Sequence, residues 1–143
     1  MSKKGINAFQ SEVILSAAYN CIATQGCANT SLWDIAESAG VVLSQLNYYY
    51  KNKEGLFIEV IKMMINKYRA EVESRIQLDE TAIERMISLI HSHQEVLEGN
   101  PKILRILYDF PNMALWSESF GKLLISRYDD ISKLVEKHIF HSW

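Results

Sequence analysis

The chain has 143 residues, of which 48% are hydrophobic and 22% charged, and its formal net charge is −2. This length fits one domain or a small module joined to a helical body. The net charge excludes a strongly basic protein that binds polyanions. No run reaches the roughly 20 apolar residues that cross a bilayer, and residues 1–10 lack the apolar segment of a signal peptide, so we expect a cytoplasmic protein without membrane partners.

The content of cysteine, proline and glycine favours an all-α fold. The two cysteines, Cys21 and Cys27, are too few for a disulfide-stapled secreted domain and are expected to be small buried side chains. Two prolines and six glycines leave few signals for hairpins, whereas helix-forming residues dominate the long segments. Charges balance to zero over residues 1–55, which predicts weak non-specific affinity for nucleic acid.

The first predicted helix spans Ser11–Gln25. Leu15, Ala18 and Ile22 recur at helical spacing, and Gly26 supplies a C-terminal stop. A single amphipathic helix of about four turns is therefore expected.

Two short helices follow the first and form a helix-turn-helix pattern. Ser31 and Asp34 have the spacing of a capping box, which predicts a second helix over Leu32–Ala39 that ends at Gly40. Helical spacing resumes over Leu43–Tyr50 after a tight turn. Two short helices joined by such a turn are typical of a helix-turn-helix unit.

The remaining sequence is predicted to form four longer helices. They are one from Glu54, one over Asp79–Glu98, one over Lys102–Trp116 with Pro111 as a kink or boundary, and one over Glu118–Phe140. We expect residues 1–53 to form a helix-turn-helix DNA-binding domain and residues 54–143 a helical ligand-binding and dimerisation body.

The second helix of a helix-turn-helix unit enters the major groove of DNA, where its first side chains reach base edges. Gln45 and Asn47 can each form two hydrogen bonds with adenine, Ser44 can donate or accept, and Leu43 can cover a thymine methyl group. The alternative is that the polar residues among these are ordinary solvent-exposed side chains of a surface helix and contact no DNA.

Tyrosine and lysine side chains and hydroxyl groups are typical partners of phosphate. The residues of these types beside the expected groove are Thr30, Ser31, Tyr48, Tyr49 and Lys53. Tyr50 follows Leu46 by four residues, which predicts that it points into the core.

Residues 14–57 resemble the TetR/AcrR family of bacterial transcriptional regulators. ILSAAYNCIATQG resembles the first family helix, and TSLWDIAESAGV resembles its second helix and turn. LSQLNYYYKNKEGL is similar to the segment in which paired aromatic rings precede the fourth helix. The resemblance implies that the fourth helix joins a DNA-binding head to a variable ligand-binding body. It also implies a homodimer in which ligand changes the spacing of two recognition helices.

Site residues are also implied by the resemblance. Backbone contacts are implied for Thr30, Ser31, Trp33, Tyr49 and Lys53, and base contacts for Leu43, Ser44, Gln45 and Asn47. The sequence departs from the family pattern at Val42, where a capping Ser or Thr is usual, so α-helical capping there is expected to be poor or to come from Ser44. Family members are usually longer, and the body over residues 54–143 is expected to be incomplete.

Enzymatic and metal-binding functions are not expected. His91 and His93 are two apart, so on a helix they project about 160° from each other and cannot share a metal ion. His138 and His141 can share a helix face, but near a helix C-terminus a surface position is expected. No phosphate-binding loop, nucleophile elbow or CxxC motif is present, and we expect no cofactor.

The body is rich in residues that line adaptable apolar pockets, although ordinary bundle packing uses the same types. The candidate ligand-binding residues are Tyr68, Met86, His91, Tyr108 and Trp116. We therefore expect a ligand-responsive regulator, a repressor released from operator DNA by a small apolar or amphipathic molecule. The alternatives are a protein-interaction module whose helix-turn-helix no longer reads DNA, and a helical enzyme or carrier.

Overall fold

The structure is a computed structural model that describes residues 3–76 and 81–140, with side chains described from residue 8 onward. Those residues form seven helices and no strand, which confirms the predicted all-α fold. The helices are α1 (Lys3–Gln25), α2 (Leu32–Ala39), α3 (Leu43–Tyr49), α4 (Lys53–Arg75), α5 (Ala82–Gly99), α6 (Pro101–Ala114) and α7 (Glu118–His138). None of these helices is both long and apolar enough to cross a membrane.

The predicted helix boundaries differ most from the structure at the starts of α1 and α5, and elsewhere by one or two residues. The first helix begins at Lys3 and not at Ser11. The prediction missed residues 3–10 because they have no clear helical period of apolar residues. The fifth begins at Ala82, where Thr81 and Glu84 form a capping box; the predicted start at Asp79 lies outside the described residues. Pro111 lies inside α6, so it is not a boundary.

The predicted helix-turn-helix is present, and local signals set its first half. The Ser31 hydroxyl accepts from the Asp34 N–H at 3.1 Å, and the Asp34 carboxylate accepts from the Ser31 N–H at 3.0 Å. Gly40 ends α2 with φ 71°, a left-handed conformation that favours glycine. Ile35 of α2 and Leu46 of α3 are fully buried, so one apolar core joins the two helices.

The fourth helix contributes to both the N-terminal core and the body. Leu56, Phe57 and Val60, near its start, are fully buried, and Val72, near its end, is 2% exposed. Its later turns pack against α5 and α7. One continuous helix therefore connects the two parts of the molecule.

The sixth helix also reaches the N-terminal helices. The backbone N–H of Cys27, just after α1, donates to the Asp109 carboxylate at 3.2 Å, and Lys102 donates to the Asn20 side chain at 3.0 Å. Cys21 and Cys27 are buried free thiols, as predicted. Burial, and then the charge of Asp109, raises the pKa of Cys27 to about 12, so its thiol stays protonated and unreactive at neutral pH.

We expect Asp34→Ala to lower the unfolding temperature at neutral pH, with the loss shrinking on acidification. Hydrogen bonds from the backbone and then the side chain of Ser31 lower the pKa of Asp34 below its ordinary value of 3.8. Because the pKa of Asp34 is lower in the folded state than in the unfolded state, the ionised carboxylate stabilises the folded state at pH values above the ordinary pKa. This stabilisation is lost as the pH falls through the lowered, folded-state pKa. Thermal unfolding followed by circular dichroism from pH 7 to about pH 3 measures the difference.

Glu37→Ala is the control for that experiment, because Glu37 is an exposed carboxylate on the same helix. It should change the unfolding temperature little at any pH. An Asp34→Ala deficit that is equally large at both ends of the pH range would contradict the capping role of the carboxylate.

Candidate functional sites

The third helix starts without a side-chain cap. Val42 occupies the N-cap position with φ −78° and ψ 152°, and its side chain makes no capping hydrogen bond. Its carbonyl accepts from the N–H groups of Gln45 and Leu46 at 3.0 and 3.2 Å. The predicted absence of a cap at Val42 is thus confirmed, and the structure shows no cap from Ser44 in its place.

Polar side chains of α3 face solvent while an apolar side faces the core. Ser44 and Asn47 are exposed, Tyr48 is 77% exposed and Gln45 is partly exposed. Leu43 is half-buried and packs against the N-terminal core, so only part of its side chain is accessible. The accessible groups at the front of α3 are therefore a hydroxyl and two amides, followed by a phenol.

The next two tyrosines are tied to α1. The Tyr49 hydroxyl donates to Gln10 Oε1 at 2.7 Å, and the Tyr50 and Ser11 hydroxyls lie 2.8 Å apart. Tyr50 is half-buried against the core, in agreement with the predicted inward position, and burial raises its pKa. Tyr49 was expected on the phosphate backbone, but its hydroxyl is bonded within the protein and its ring stacks edge-on against Tyr48 at 5.2 Å.

Among the other predicted phosphate contacts, Thr30 requires a correction. It is 1% exposed, and its hydroxyl donates to the Gly26 carbonyl at 2.8 Å, because the turn after α1 folds this side chain inward. Ser31 is exposed and Trp33 is 66% exposed, so both are accessible. The Lys53 ammonium lies 5.2 Å from the centre of the Phe57 ring, which leaves it half-buried.

Lys51 is an exposed cation beside α3 that was not among the predicted phosphate contacts. It lies in the short connection between α3 and α4, next to the three consecutive tyrosines. Its position after Tyr50 was the available signal, since cations that flank a recognition helix commonly contact phosphate.

The body contains a cavity of about 270 Å³ between α4, α5 and α7. Its lining residues are Tyr68, Val72, Leu89, Ile90, His93, Arg127, Ile131, Leu134 and Val135. Tyr68 is therefore the one predicted ligand-binding residue that lines it. Most of the lining is aliphatic, with three polar side chains among them.

The other predicted ligand-binding residues lie elsewhere. Met86, His91 and Tyr108 are exposed and do not line the α4–α5–α7 cavity. Trp116 is 89% exposed and borders two open pockets near Cys27 and Met113, where the body meets the N-terminal helices. Met86, His91 and Tyr108 are on helix faces that the 3.6-residue period alone did not distinguish from the cavity side, whereas Trp116 lies in the turn between α6 and α7.

Arg127 and His93 line the cavity but were not among the predicted ligand-binding residues. Arg127 continues the apolar stripe of α7, whose other members are Phe120, Leu124, Ile131 and Leu134. A cation on such a stripe is unusual, because charged residues are rarely buried without a partner. That interruption was the available sequence signal.

His138 also requires a correction. A surface position was expected, but the side chain is 8% exposed and its Nε2 lies 3.6 Å from Glu73 Oε1. Packing of the end of α7 against α4 buries it. The other member of that predicted pair, His141, lies outside the described residues. Across residues 3–76 and 81–140, no three metal-ligating side chains come together.

Taken together, the fold and the exposed face of α3 define a class: helical proteins with an N-terminal helix-turn-helix. Residues 14–60 match the family described as bacterial regulatory proteins, tetR family. The segment over residues 14–60 thus belongs to the TetR family.

Similar proteins have the same organisation. The chain is 26% identical over 125 residues to the HTH-type transcriptional regulator BetI of Rhizobium meliloti, covering 87% of this chain and 62% of BetI. A TetR transcription regulator from Haloarcula marismortui superposes with a TM-score of 0.84 at 19% identity, covering 94% of this chain and 70% of that one. FadR from Bacillus subtilis, solved in complex with stearoyl-CoA, superposes with a TM-score of 0.72 at 24% identity, covering 88% and 68%. The chain thus spans under two thirds of BetI.

We expect Val42→Ser to raise the free energy of unfolding by about 1 kcal/mol, because a serine hydroxyl at the N-cap can accept an unpaired N–H of the first turn. The Val42 side chain is 66% exposed, so little burial is lost. Urea unfolding measures the change. Val42→Ala is the control and should not stabilise; equal effects of the two substitutions would show that capping is not the cause.

Proposed function

We propose that this protein is a sequence-specific DNA-binding transcriptional regulator, with α3 as the recognition helix. The observation that carries the proposal is the row formed by exposed Ser44, Asn47 and Tyr48 and partly exposed Gln45 on the second helix of a helix-turn-helix. Hydroxyl and amide groups in this position have the chemistry to bond base edges. The start of α4 at Lys53 supports the proposed domain division into a DNA-binding head over residues 1–53 and a body over residues 54–143.

The contacts to the DNA backbone are assigned to groups that the structure leaves accessible. Ser31, Trp33, Tyr48 and Lys51 are exposed. Lys53 and the rings of Tyr49 and Tyr50 take a supporting role, since they pack within the head. The side chain of Thr30 is not assigned to this surface.

The head carries no arginine and is balanced in charge over residues 1–55. Because cationic contacts supply most of the salt-dependent affinity for DNA, we infer that base contacts carry an unusually large share of binding here. For the same reason, we expect the protein to bind non-specific DNA only weakly at physiological salt concentration.

We further propose that the protein is a cytoplasmic homodimeric repressor released by a ligand in the body. Two recognition helices in a dimer must be about 34–36 Å apart to enter successive major grooves. The support for an interface is a set of exposed apolar side chains on the body helices: Ile83, Ile87, Leu104, Tyr108, Ile125 and Tyr128. The support for a ligand is the α4–α5–α7 cavity and the stearoyl-CoA complex of the structurally similar FadR.

A second candidate is a protein-interaction module that uses the same head without reading DNA. The balanced charge of the head and the uncapped start of α3 favour it. Selection of bound duplexes from a random DNA library at low salt separates the two candidates. Enrichment of one sequence supports the regulator, and no enrichment at any salt concentration rejects it.

We expect Gln45→Ala to weaken binding to the selected duplex by about 1–3 kcal/mol and to relax preference at one base position, because alanine cannot make the amide hydrogen bonds to a base edge. Fluorescence anisotropy with matched and single-base-substituted duplexes measures both effects. Gln94→Ala, an exposed glutamine on α5, is the control and should bind as the wild type does. Unchanged affinity and base preference in Gln45→Ala would remove this residue from the proposed interface.

We expect Lys51→Gln to weaken binding to all sequences alike, since an ion pair with phosphate releases counterions and carries no sequence information. The slope of log affinity against log salt should become shallower by about 0.9 when one phosphate is no longer neutralised. Anisotropy across a salt series on specific and random duplexes measures the slope. Lys122→Gln, an exposed lysine of α7, is the matched control; an equal change in both variants would indicate only a net-charge effect.

A further inference from the structure

The α4–α5–α7 cavity combines an aliphatic lining with a guanidinium that has no ionic partner among the described residues. Its volume of about 270 Å³ lies just below the range of roughly 300–1,000 Å³ that is common for ligand pockets, so it fits a small molecule. A narrower pocket of about 40 Å³ shares Tyr68, Val72 and Arg127 with it. Arg127 thus lies where the two spaces meet.

The Arg127 side chain is half-buried, and no carboxylate of the described residues lies within 4.0 Å of it. Asp130, on the same helix and beside the narrower pocket, lies 3.9 Å from the guanidinium of Arg69 instead. Burial lowers the pKa of Arg127 below its ordinary value, although a guanidinium remains charged at neutral pH. A partly desolvated cation without a counter-charge is unfavourable, and an anion in the cavity would relieve that cost.

A second polar group in the cavity also lacks a partner. The Tyr68 hydroxyl is buried and has no hydrogen-bond partner among the described residues. The Tyr68 ring packs edge-on against His93, with ring centres 5.4 Å apart. Burial, and then Arg127, lowers the pKa of His93, so its imidazole is uncharged at neutral pH. Within the described part of the chain, the cavity therefore offers one cation and one neutral O–H donor, both unpaired.

The cavity between α1, α4 and α6 does not share this property. It measures about 230 Å³. Of the polar side chains on its lining, Ser16 and Lys67 are exposed to solvent, and the other two are bonded within the protein. Asn20 accepts from Lys102 at 3.0 Å, and Tyr19 donates to Asn100 at 3.5 Å. Its polar atoms therefore do not indicate a missing ligand.

We propose that the α4–α5–α7 cavity binds a small amphipathic monocarboxylate. Its carboxylate pairs with the Arg127 guanidinium and accepts from the Tyr68 hydroxyl, while its apolar tail packs against Leu89, Ile90 and Leu134. The inference rests on the proposed ligand-responsive regulator and names the chemical class of its effector. Charge complementarity supports it, because a neutral ligand would leave Arg127 unpaired.

Isothermal titration calorimetry on the whole chain without DNA tests the class directly. The probes are octanoate and 4-phenylbutyrate, with octan-1-ol and octylamine as controls of the same tail size. At least one carboxylate should bind, and about tenfold or more tightly than the alcohol or the amine, because neither control can form a hydrogen-bonded charge pair with Arg127. Binding of neither carboxylate at millimolar concentration, or equal binding of octan-1-ol, would overturn the proposal.

Octanoyl-coenzyme A separates a free carboxylate from an acyl thioester as the source of the anion. The proposal requires octanoate to bind when no coenzyme is present. If only the thioester binds, the anionic group is the coenzyme and the assigned role of Arg127 is wrong.

Substitutions locate the carboxylate. Arg127→Met should weaken carboxylate binding by roughly ten- to a hundredfold, and Tyr68→Phe by about tenfold. Arg127→Met should leave the unfolding temperature unchanged or higher, because it replaces an unpaired desolvated charge with an apolar side chain. Lys122→Met removes the same charge from an exposed position on α7 and should leave affinity unchanged.

The result for Arg127 distinguishes ligand binding from a structural role. A variant that loses affinity while it keeps its unfolding temperature supports the proposal, and Arg127→Lys should retain part of the affinity. If Arg127→Met binds as the wild type does, or if its unfolding temperature falls markedly, the proposal fails. The titrations contain no DNA, so failure of carboxylate binding and failure of the DNA-binding proposal are seen separately.

Discussion

Burial of one face of α4 in two separate places is the constraint on which the rest of this structure depends. Phe57 and Val60, in its first turns, are buried in the N-terminal core. Val72, near its other end, is buried in the body. A helix of 23 residues is about 34 Å long and bends little without proline. Displacement of its far end therefore has to be absorbed by rotation of the head or by the contacts beside it.

The contacts of α6 limit that freedom. Two hydrogen bonds attach α6 to the C-terminal part of α1. Lys102 donates to Asn20 within α1, and the Cys27 N–H, just after α1, donates to Asp109. Because α6 also packs against α7, whose Arg127 lines the α4–α5–α7 cavity, a change at the cavity can reach the head along two helices. A ligand shifts such an equilibrium only by its differential affinity for the two arrangements.

Features set by neighbouring residues could be predicted from the sequence. The Ser31–Asp34 capping box and the stop at Gly40 were predicted from spacing, and the uncapped Val42 from its departure from the family pattern. All three depend on residues within one or two turns. The extended start of α1 was missed because residues 3–10 carry a faint apolar period.

Features set by tertiary packing could not be predicted in the same way. The turn after α1 buries Thr30, whose hydroxyl donates to the Gly26 carbonyl, and no local sequence pattern predicts that hydrogen bond. Periodicity likewise shows that α7 has an apolar stripe, but only its packing against α4 reveals that Arg127 enters a cavity and that His138 is buried. Of the proposed interface, the identity and helix of the polar residues were predictable, whereas their accessibility was not.

The sparse anchoring of α3 has a consequence for how this head could diversify. Leu46 is the one fully buried residue of the helix, and its N-terminal end relies on backbone bonds alone. Substitutions at Ser44, Gln45 and Asn47 therefore perturb little of the fold, since surface changes of this kind usually alter stability by less than about 0.5 kcal/mol. Under the proposed function, α3 can change its base contacts while the rest of the fold stays the same, and new target preferences can arise by few substitutions without passing through unstable intermediates.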